Sequence, residues 1–172
     1  NKKDSTGICF IGERPFPEFV GSYLSGQEGN IINENDDVIG IHQGLVFYTL
    51  GQRQGLGIGG VQGLPDLPWY VAKKNLKTNE LLCVQGNDHP LLFSRELSTK
   101  NLFKLEDSLP ISFEGTAKVR YRQEDQKCEI NVEDNTLNIT FHKPQRSVTP
   151  GQSVVIYKND KCLGGGEICT IN

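Results

Sequence analysis

The chain has 172 residues, of which 36% are hydrophobic and 19 are glycine, and its formal net charge is −3. This composition excludes collagenous, coiled-coil and largely disordered chains, and no apolar run approaches the roughly 18 residues of a transmembrane helix. The slightly acidic balance excludes a protein that holds nucleic acid through an overall basic field, so any RNA contact must come from a local cluster of cations. Methionine is absent, which predicts that the chain is a piece of a longer protein.

The five cysteines and three histidines do not form a metal-binding pattern. The cysteines are odd in number and have no CxxC spacing, so neither a zinc site nor a disulfide framework is expected. The histidines have no clustered carboxylates beside them, and no metal centre is predicted. Free thiols and the lack of an apolar leader indicate a cytoplasmic protein with no membrane partner.

The first half of the chain is predicted to be a small β-rich unit. Apolar side chains repeat at helical spacing over Glu18–Leu24, which predicts one short amphipathic helix. Residues 29–32 and 38–41 flank a polar turn and predict a β-hairpin. Residues 68–73 and 81–84 predict a second hairpin in the same way.

The second half reads as strands beyond the polar run Ser94–Lys100, which is the predicted domain boundary. Short alternating runs are separated by Gln, Asp and Asn turns about every ten residues, a pattern typical of a small closed barrel. The triplet Gly164–Gly166 is interpreted as a turn or a bulge. The predicted fold class is mainly β (α+β), with a small central β-rich domain followed by a C-terminal β-barrel.

Cys9 is the first candidate for chemistry. It lies near Lys2, Lys3 and Arg14, and cations and exposed backbone N–H groups lower a thiol pKa from about 8.5 so that the reactive thiolate is populated. The alternative is that Cys9 packs as a small apolar group, as free cysteines commonly do.

The segment Gly55–Gly60 matches the letters of a GxGxxG dinucleotide motif. No helix pattern follows it and no βαβ unit surrounds it, so the motif is not supported in its usual sense. It is interpreted either as a backbone-exposed loop near a ligand or another domain, or as turns that need positive φ angles.

A basic row is the third candidate. Period-2 alternation at the end of the predicted strand Ser112–Tyr121 and just beyond it places Lys118, Arg120 and Arg122 on one face. Tyr121 lies on the other face. The cations suit phosphates and the tyrosine ring can stack on a base or sugar. The alternative is a solvated outer strand face whose charges discourage edge pairing.

Blocks along nearly the whole chain resemble, in order, signatures in the C-terminal half of the bacterial tRNA-specific 2-thiouridylases (the MnmA/TrmU family). Small departures are Phe47, where tyrosine is frequent, and Gln54, where lysine is frequent. The blocks are Asp4–Arg14, His42–Leu45, Tyr48–Arg53, Gly55–Gly60, Pro68–Val71, Arg120–Gln123, Val148–Gln152 and Cys162–Gly166.

The resemblance implies an enzyme that transfers persulfide sulfur to C2 of the wobble uridine in tRNAs for Lys, Glu and Gln after ATP-dependent adenylation. Cys9 matches the persulfide cysteine, which a sulfur-donor protein or cysteine desulfurase would load. Arg120, Tyr121 and Gln152 match tRNA-contacting positions.

The resemblance also implies a domain organisation. Residues 1–14 would be the tail of an N-terminal ATP-pyrophosphatase domain, 15–97 the central domain, and 98–172 a six-stranded, tRNA-binding barrel of the translation-factor type. ATP would be bound by the N-terminal domain, whose SGGxDS loop does not occur in this sequence, so no cofactor site is expected and the piece alone should be inactive. Two other classes stay open: a non-catalytic RNA-binding module with a structural Cys9, and a nucleotide-cofactor enzyme that uses Gly55–Gly60.

Overall fold

The computed structural model describes residues 26–60, 63, 65–106, 108–121 and 123–172. The predicted helix at Glu18–Leu24, Cys9 and Arg122 lie outside the described residues. No helix among the described residues has the length and apolar character needed to cross a membrane.

A four-stranded sheet is formed by the first part of the described chain. Its strands are β1 (Gly29–Ile32), β2 (Val38–His42), β3 (Trp69–Asn75) and β4 (Glu80–Gln85), in the order β2-β1-β4-β3. The pairs β1–β2 and β3–β4 are antiparallel, so both predicted hairpins are confirmed, and β1 and β4 pair in parallel between them. A short 3-10 helix, Leu45–Phe47, follows β2. One face of the sheet buries Ile31, Val71 and Leu81 completely.

A closed antiparallel barrel follows, with the strand order β10-β5-β8-β7-β6-β9. Its strands are β5 (Phe93–Lys104), β6 (Ser112–Lys118), β7 (Gln126–Glu133), β8 (Thr136–Arg146), β9 (Ser153–Lys158) and β10 (Lys161–Ile171). Alternate residues point inward, as Leu137, Ile139 and Phe141 do on β8, each no more than 1% exposed. Burying one such side chain stabilises the fold by about 1.5–3 kcal/mol. The predicted mainly β fold with a six-stranded barrel is therefore confirmed.

Two strand assignments differ from the sequence analysis. The polar run Ser94–Lys100, predicted as the domain boundary, lies within β5. Leu97 and Thr99 face the interior of the barrel, and the residues between and beside them are more exposed. The triplet Gly164–Gly166 does not form a turn between two strands but lies within the single strand β10. Its register shifts at these glycines, which confirms the bulge interpretation.

The sheet and the barrel contact each other through β8 and the residues that follow it. The Arg146 guanidinium lies 5.0 Å from the centre of the Tyr70 ring, and its Nε donates a hydrogen bond to the Asn87 carbonyl (3.1 Å). The Ser147 amide donates to the Leu92 carbonyl (2.7 Å), just before β5 begins. These contacts fix the end of β8, next to the groove described below.

Gly165→Ala is expected to destabilise the barrel by about 1–3 kcal/mol or more, because overpacking forces the backbone to move. A Cβ at this position would lie 2.3 Å from the Val154 carbonyl oxygen on β9. Gly59→Ala is the matched control: its Cβ would meet nothing within 4 Å, and the loss of chain entropy in the unfolded state predicts a stability gain of about 0.4–1 kcal/mol. Urea unfolding midpoints measure both, and equal midpoints would contradict the packing argument.

Candidate functional site

A groove of about 490 Å³ opens beside the end of β6 and the beginning of β9. The two strands pair antiparallel, with Lys118 opposite Val155, so the chain after β6 and the chain before β9 meet at one end of the barrel. Arg120, Tyr121 and Gln152 all line this groove. Three residues singled out in the sequence, from segments about thirty positions apart, are thus brought together.

The backbone that carries Arg120 and Tyr121 is a turn and not a strand. β6 ends at Lys118, so the predicted strand Ser112–Tyr121 was wrong in its last three residues, and the alternation predicted there does not hold. The reason is a local hydrogen bond: the Gln123 amide donates to the Arg120 carbonyl (3.2 Å) and turns the chain. Arg120 and Tyr121 are both exposed, the tyrosine by 68%.

The predicted basic row is also reduced by an ion pair. The Lys118 ammonium lies 2.9 Å from a carboxylate oxygen of Asp125 and 5.4 Å from the centre of the Tyr157 ring. The hydrogen bond to Asp125 raises the pKa of Lys118 above its ordinary value. The sequence analysis missed this partner because Asp125 meets Lys118 only after the chain has turned. The positive charge of Lys118 is therefore partly compensated by Asp125, and it should attract a phosphate less strongly than the sequence analysis predicted.

Arg120, Tyr121 and Gln152 offer three different kinds of contact. Arg120 Nη2 donates to the Ser147 carbonyl (3.1 Å), and no carboxylate of the described residues forms an ion pair with the guanidinium. Tyr121 exposes its ring. The Gln152 backbone is fixed by hydrogen bonds with Thr149 and Ile168, while its side chain is exposed. A guanidinium binds phosphate, a ring stacks on a base, and an amide pairs with a base edge or ribose hydroxyl.

His42 has a structural role at the end of β2. Its ring is fully buried and contacts Tyr48 edge to face. Nδ1 accepts from the Gly44 amide (3.0 Å) and Nε2 lies 3.0 Å from the Asn79 carbonyl, so both bonds form when Nε2 carries the proton. The part of the chain that the structure describes contains no group of three or more His, Cys, Asp or Glu residues arranged for a metal.

His42→Leu is expected to lower the free energy of unfolding by about 1–3 kcal/mol, because it removes the partner of the buried Gly44 amide and of the half-buried Asn79 carbonyl. His142→Leu is the control, since that side chain is 49% exposed and pairs with Glu114 at the surface, where the expected change is within about 0.5 kcal/mol. Urea unfolding of both variants tests this. The structural role fails if the two midpoints coincide.

The Gly55–Gly60 segment is a loop that lines a second cavity of about 800 Å³, together with Arg53 and Trp69. Gly55 and Gly57 have φ angles of 74° and 65°, so the interpretation as turns with positive φ is confirmed at these two positions. The next described element is strand β3, which does not fit a dinucleotide motif.

Two of the four described cysteines are buried thiols that stay protonated at neutral pH. Cys83 and Cys128 are buried, and burial raises the pKa of each thiol to about 12. Cys162 and Cys169 lie on β10, the first half-buried and the second exposed. Cys83 and Cys128 are therefore core residues.

Two family models match the chain. One is described as a tRNA methyl transferase PRC-barrel domain and covers residues 17–85, and the other as an aminomethyltransferase β-barrel domain and covers residues 94–168. A tRNA-specific 2-thiouridylase MnmA of Francisella tularensis subsp. tularensis (strain WY96-3418) is 57% identical over 170 residues, which are 98% of this chain and 47% of the relative. The chain belongs to the tRNA-specific 2-thiouridylase family. A family member from F. tularensis subsp. novicida (strain U112) is 56% identical over the same share of each chain.

The family assignment predicted from the sequence blocks is therefore confirmed. The chain spans about half the length of the curated relatives it matches. The two family models coincide with the two units of the structure: the first match ends at Gln85, the last residue of β4, and the second begins at Ser94 in β5.

Proposed function

We propose that the groove lined by Arg120, Tyr121 and Gln152 binds tRNA in a protein that thiolates the wobble uridine. The observation that supports this most is the convergence of these three side chains on one groove. The relatives carry the name tRNA-specific 2-thiouridylase, which supports tRNA as the class of RNA that binds in the groove. In this proposal the guanidinium of Arg120 holds a phosphate, the Tyr121 ring stacks on a base or sugar, and the Gln152 amide bonds to a base edge or ribose.

Sulfur transfer is assigned to Cys9 in this proposal. ATP-dependent adenylation of the C2 oxygen of the uridine supplies a good leaving group. The outer sulfur of a Cys9 persulfide attacks C2, the C2–O bond breaks, and AMP departs. A second cysteine outside this chain then attacks the Cys9 sulfur, which releases the thiolated uridine and leaves a disulfide. In the alternative order, the second cysteine attacks the persulfide first and forms the same disulfide, and the sulfide that this releases attacks C2 and displaces AMP.

ATP would be bound outside the described residues. The Gly55–Gly60 loop precedes strand β3 and lacks the helix N-terminus with which glycine-rich loops bind phosphates, so it does not fit ATP. The proposed partners are tRNAs for Lys, Glu and Gln and a sulfur-donor protein or cysteine desulfurase, in the cytoplasm. The chain by itself is expected to form no 2-thiouridine.

Gln152→Ala tests the groove without changing charge. Loss of one neutral hydrogen bond is expected to weaken tRNA binding by about 0.5–1.5 kcal/mol, or roughly 2- to 12-fold. The slope of log affinity against log salt should stay unchanged, because no cation is removed. Fluorescence anisotropy of labelled tRNA measures both quantities, with Gln27→Ala, an exposed glutamine near β1, as control. Equal affinities of the two variants would remove Gln152 from the site.

A further inference from the structure

The turn that carries Arg120 and Tyr121 rests on a buried glutamine. Gln145, near the end of β8, is only 5% exposed. Its Oε1 accepts a hydrogen bond from Gln123 Nε2 (2.7 Å), and its own Nε2 donates to the Lys143 carbonyl (2.7 Å) and to Gln126 Oε1 (3.2 Å). The amide therefore has partners on both its oxygen and its nitrogen, as a buried polar group requires.

The network continues from Gln145 to the backbone of the turn. Gln123 Oε1 accepts from the Val119 amide (2.9 Å), and the Gln123 amide donates to the Arg120 carbonyl (3.2 Å). A continuous row of hydrogen bonds thus joins the backbone on both sides of Arg120 to Gln145. It links the ends of β6, β7 and β8, which are neighbours in the barrel.

The segment around Gln145 also holds the Arg120 side chain. Arg120 Nη2 donates to the carbonyl of Ser147, two residues after Gln145. Ser147 is 4% exposed and its own amide donates to the Leu92 carbonyl, so this anchor is itself fixed between the barrel and the sheet. The turn is tied to residues 145–147 at both its backbone and its guanidinium. A binding group held in one conformation before association loses less entropy on binding.

We propose that Gln145 is a positioning residue of the tRNA-binding groove, because its buried amide sets the conformation of the turn and so places Arg120 and Tyr121. This inference rests on the proposed function. Gln145 is neutral and nearly inaccessible, so it cannot itself contact a phosphate. If its replacement changes the salt dependence of tRNA affinity, the change must come from a displaced cation such as Arg120.

The test uses the salt dependence of tRNA affinity. Arg120→Ala should reduce the slope of log affinity against log salt by about one, since one phosphate contact is lost. Gln145→Leu removes the amide but keeps a buried side chain of similar size, and it should reduce the slope by the same amount. The double variant should show no further reduction. Circular dichroism confirms folding at the assay temperature, and Gln123→Ala is the second variant if Gln145→Leu does not fold.

Thr99→Val is the control for a purely structural effect. Thr99 is 1% exposed, and its hydroxyl accepts from the Leu137 amide on β8. This variant should lower the melting temperature and leave the slope at the wild-type value. If Arg120→Ala reduces the slope and both Gln145→Leu and Gln123→Ala leave it unchanged, the positioning role is overturned while the proposed function stands. If Arg120→Ala leaves the slope unchanged, there is no phosphate contact to position, and both proposals fail.

Discussion

Cys9→Ser in the longer protein is expected to abolish 2-thiouridine formation while tRNA affinity stays near the wild-type value. A serine hydroxyl cannot carry a persulfide, so the sulfur that attacks C2 is missing, whereas the groove on the barrel is unaffected. Mass spectrometry of digested tRNA measures the product, and anisotropy measures binding. Cys169→Ser is the matched control, since Cys169 is an exposed thiol on β10 and its replacement should keep full activity.

Thiol reactivity separates the enzyme from a non-catalytic RNA-binding module. Burial raises the pKa of Cys83 and Cys128 to about 12, so both stay protonated and unreactive through neutral pH. Cys9 should be alkylated selectively, at a rate that rises through a lowered pKa. If Cys9→Ser keeps substantial thiolation, or Cys9 reacts no faster than Cys83, the catalytic assignment is wrong and the binding module is favoured.

Arg120→Ala and Tyr121→Ala are both expected to weaken tRNA binding, with different salt signatures. Loss of the guanidinium should reduce the salt slope by about one for any tRNA tested. Loss of the ring should cost about 1–3 kcal/mol of binding free energy with weaker salt sensitivity. Because Tyr121 is 68% exposed, its replacement should leave the melting temperature nearly unchanged.

Lys158→Ala is the control for general charge. Lys158 is the last residue of β9, at the opposite end of the strand from Gln152, and it is exposed but does not line the groove. Its removal should therefore change the slope less than Arg120→Ala. If Arg120→Ala left tRNA affinity unchanged and Tyr121→Ala lowered the melting temperature by several degrees, the two residues would have no role in RNA binding. They would then be a solvated charge and a packed side chain.

The fold was predictable where its signals are local. The hairpin β1–β2 follows from two apolar runs around a polar turn, and the barrel follows from alternation in β7 and β8. The strand β5 was hidden because its outward residues are polar and only its pairing with β8 and β10 shows that it is a strand. Such pairings join residues far apart in sequence, which periodicity does not detect.

The sequence was enough to name the residues of the candidate site but not the backbone conformation and contacts that bring them together. Alternation placed Arg120 and Tyr121 on opposite strand faces, whereas a turn displays both. The resemblance added Gln152, but its closeness to Arg120 depends on the pairing of β6 with β9. Asp125, which neutralises Lys118, and Gln145, which supports the turn, act through contacts that only the folded chain creates.

Photocrosslinking at position 121 tests most directly whether this groove binds tRNA. Tyr121 is replaced by a photoreactive benzophenone analogue of phenylalanine, and the same replacement is made at Ile111, which is 81% exposed at the opposite end of β6. Strand β6, which lies between the two positions in the chain, is about 20 Å long. We expect a crosslink to tRNA from position 121 that excess unlabelled tRNA abolishes, and none from position 111. Equal yields at the two positions, or no crosslink from position 121, would contradict tRNA binding in this groove.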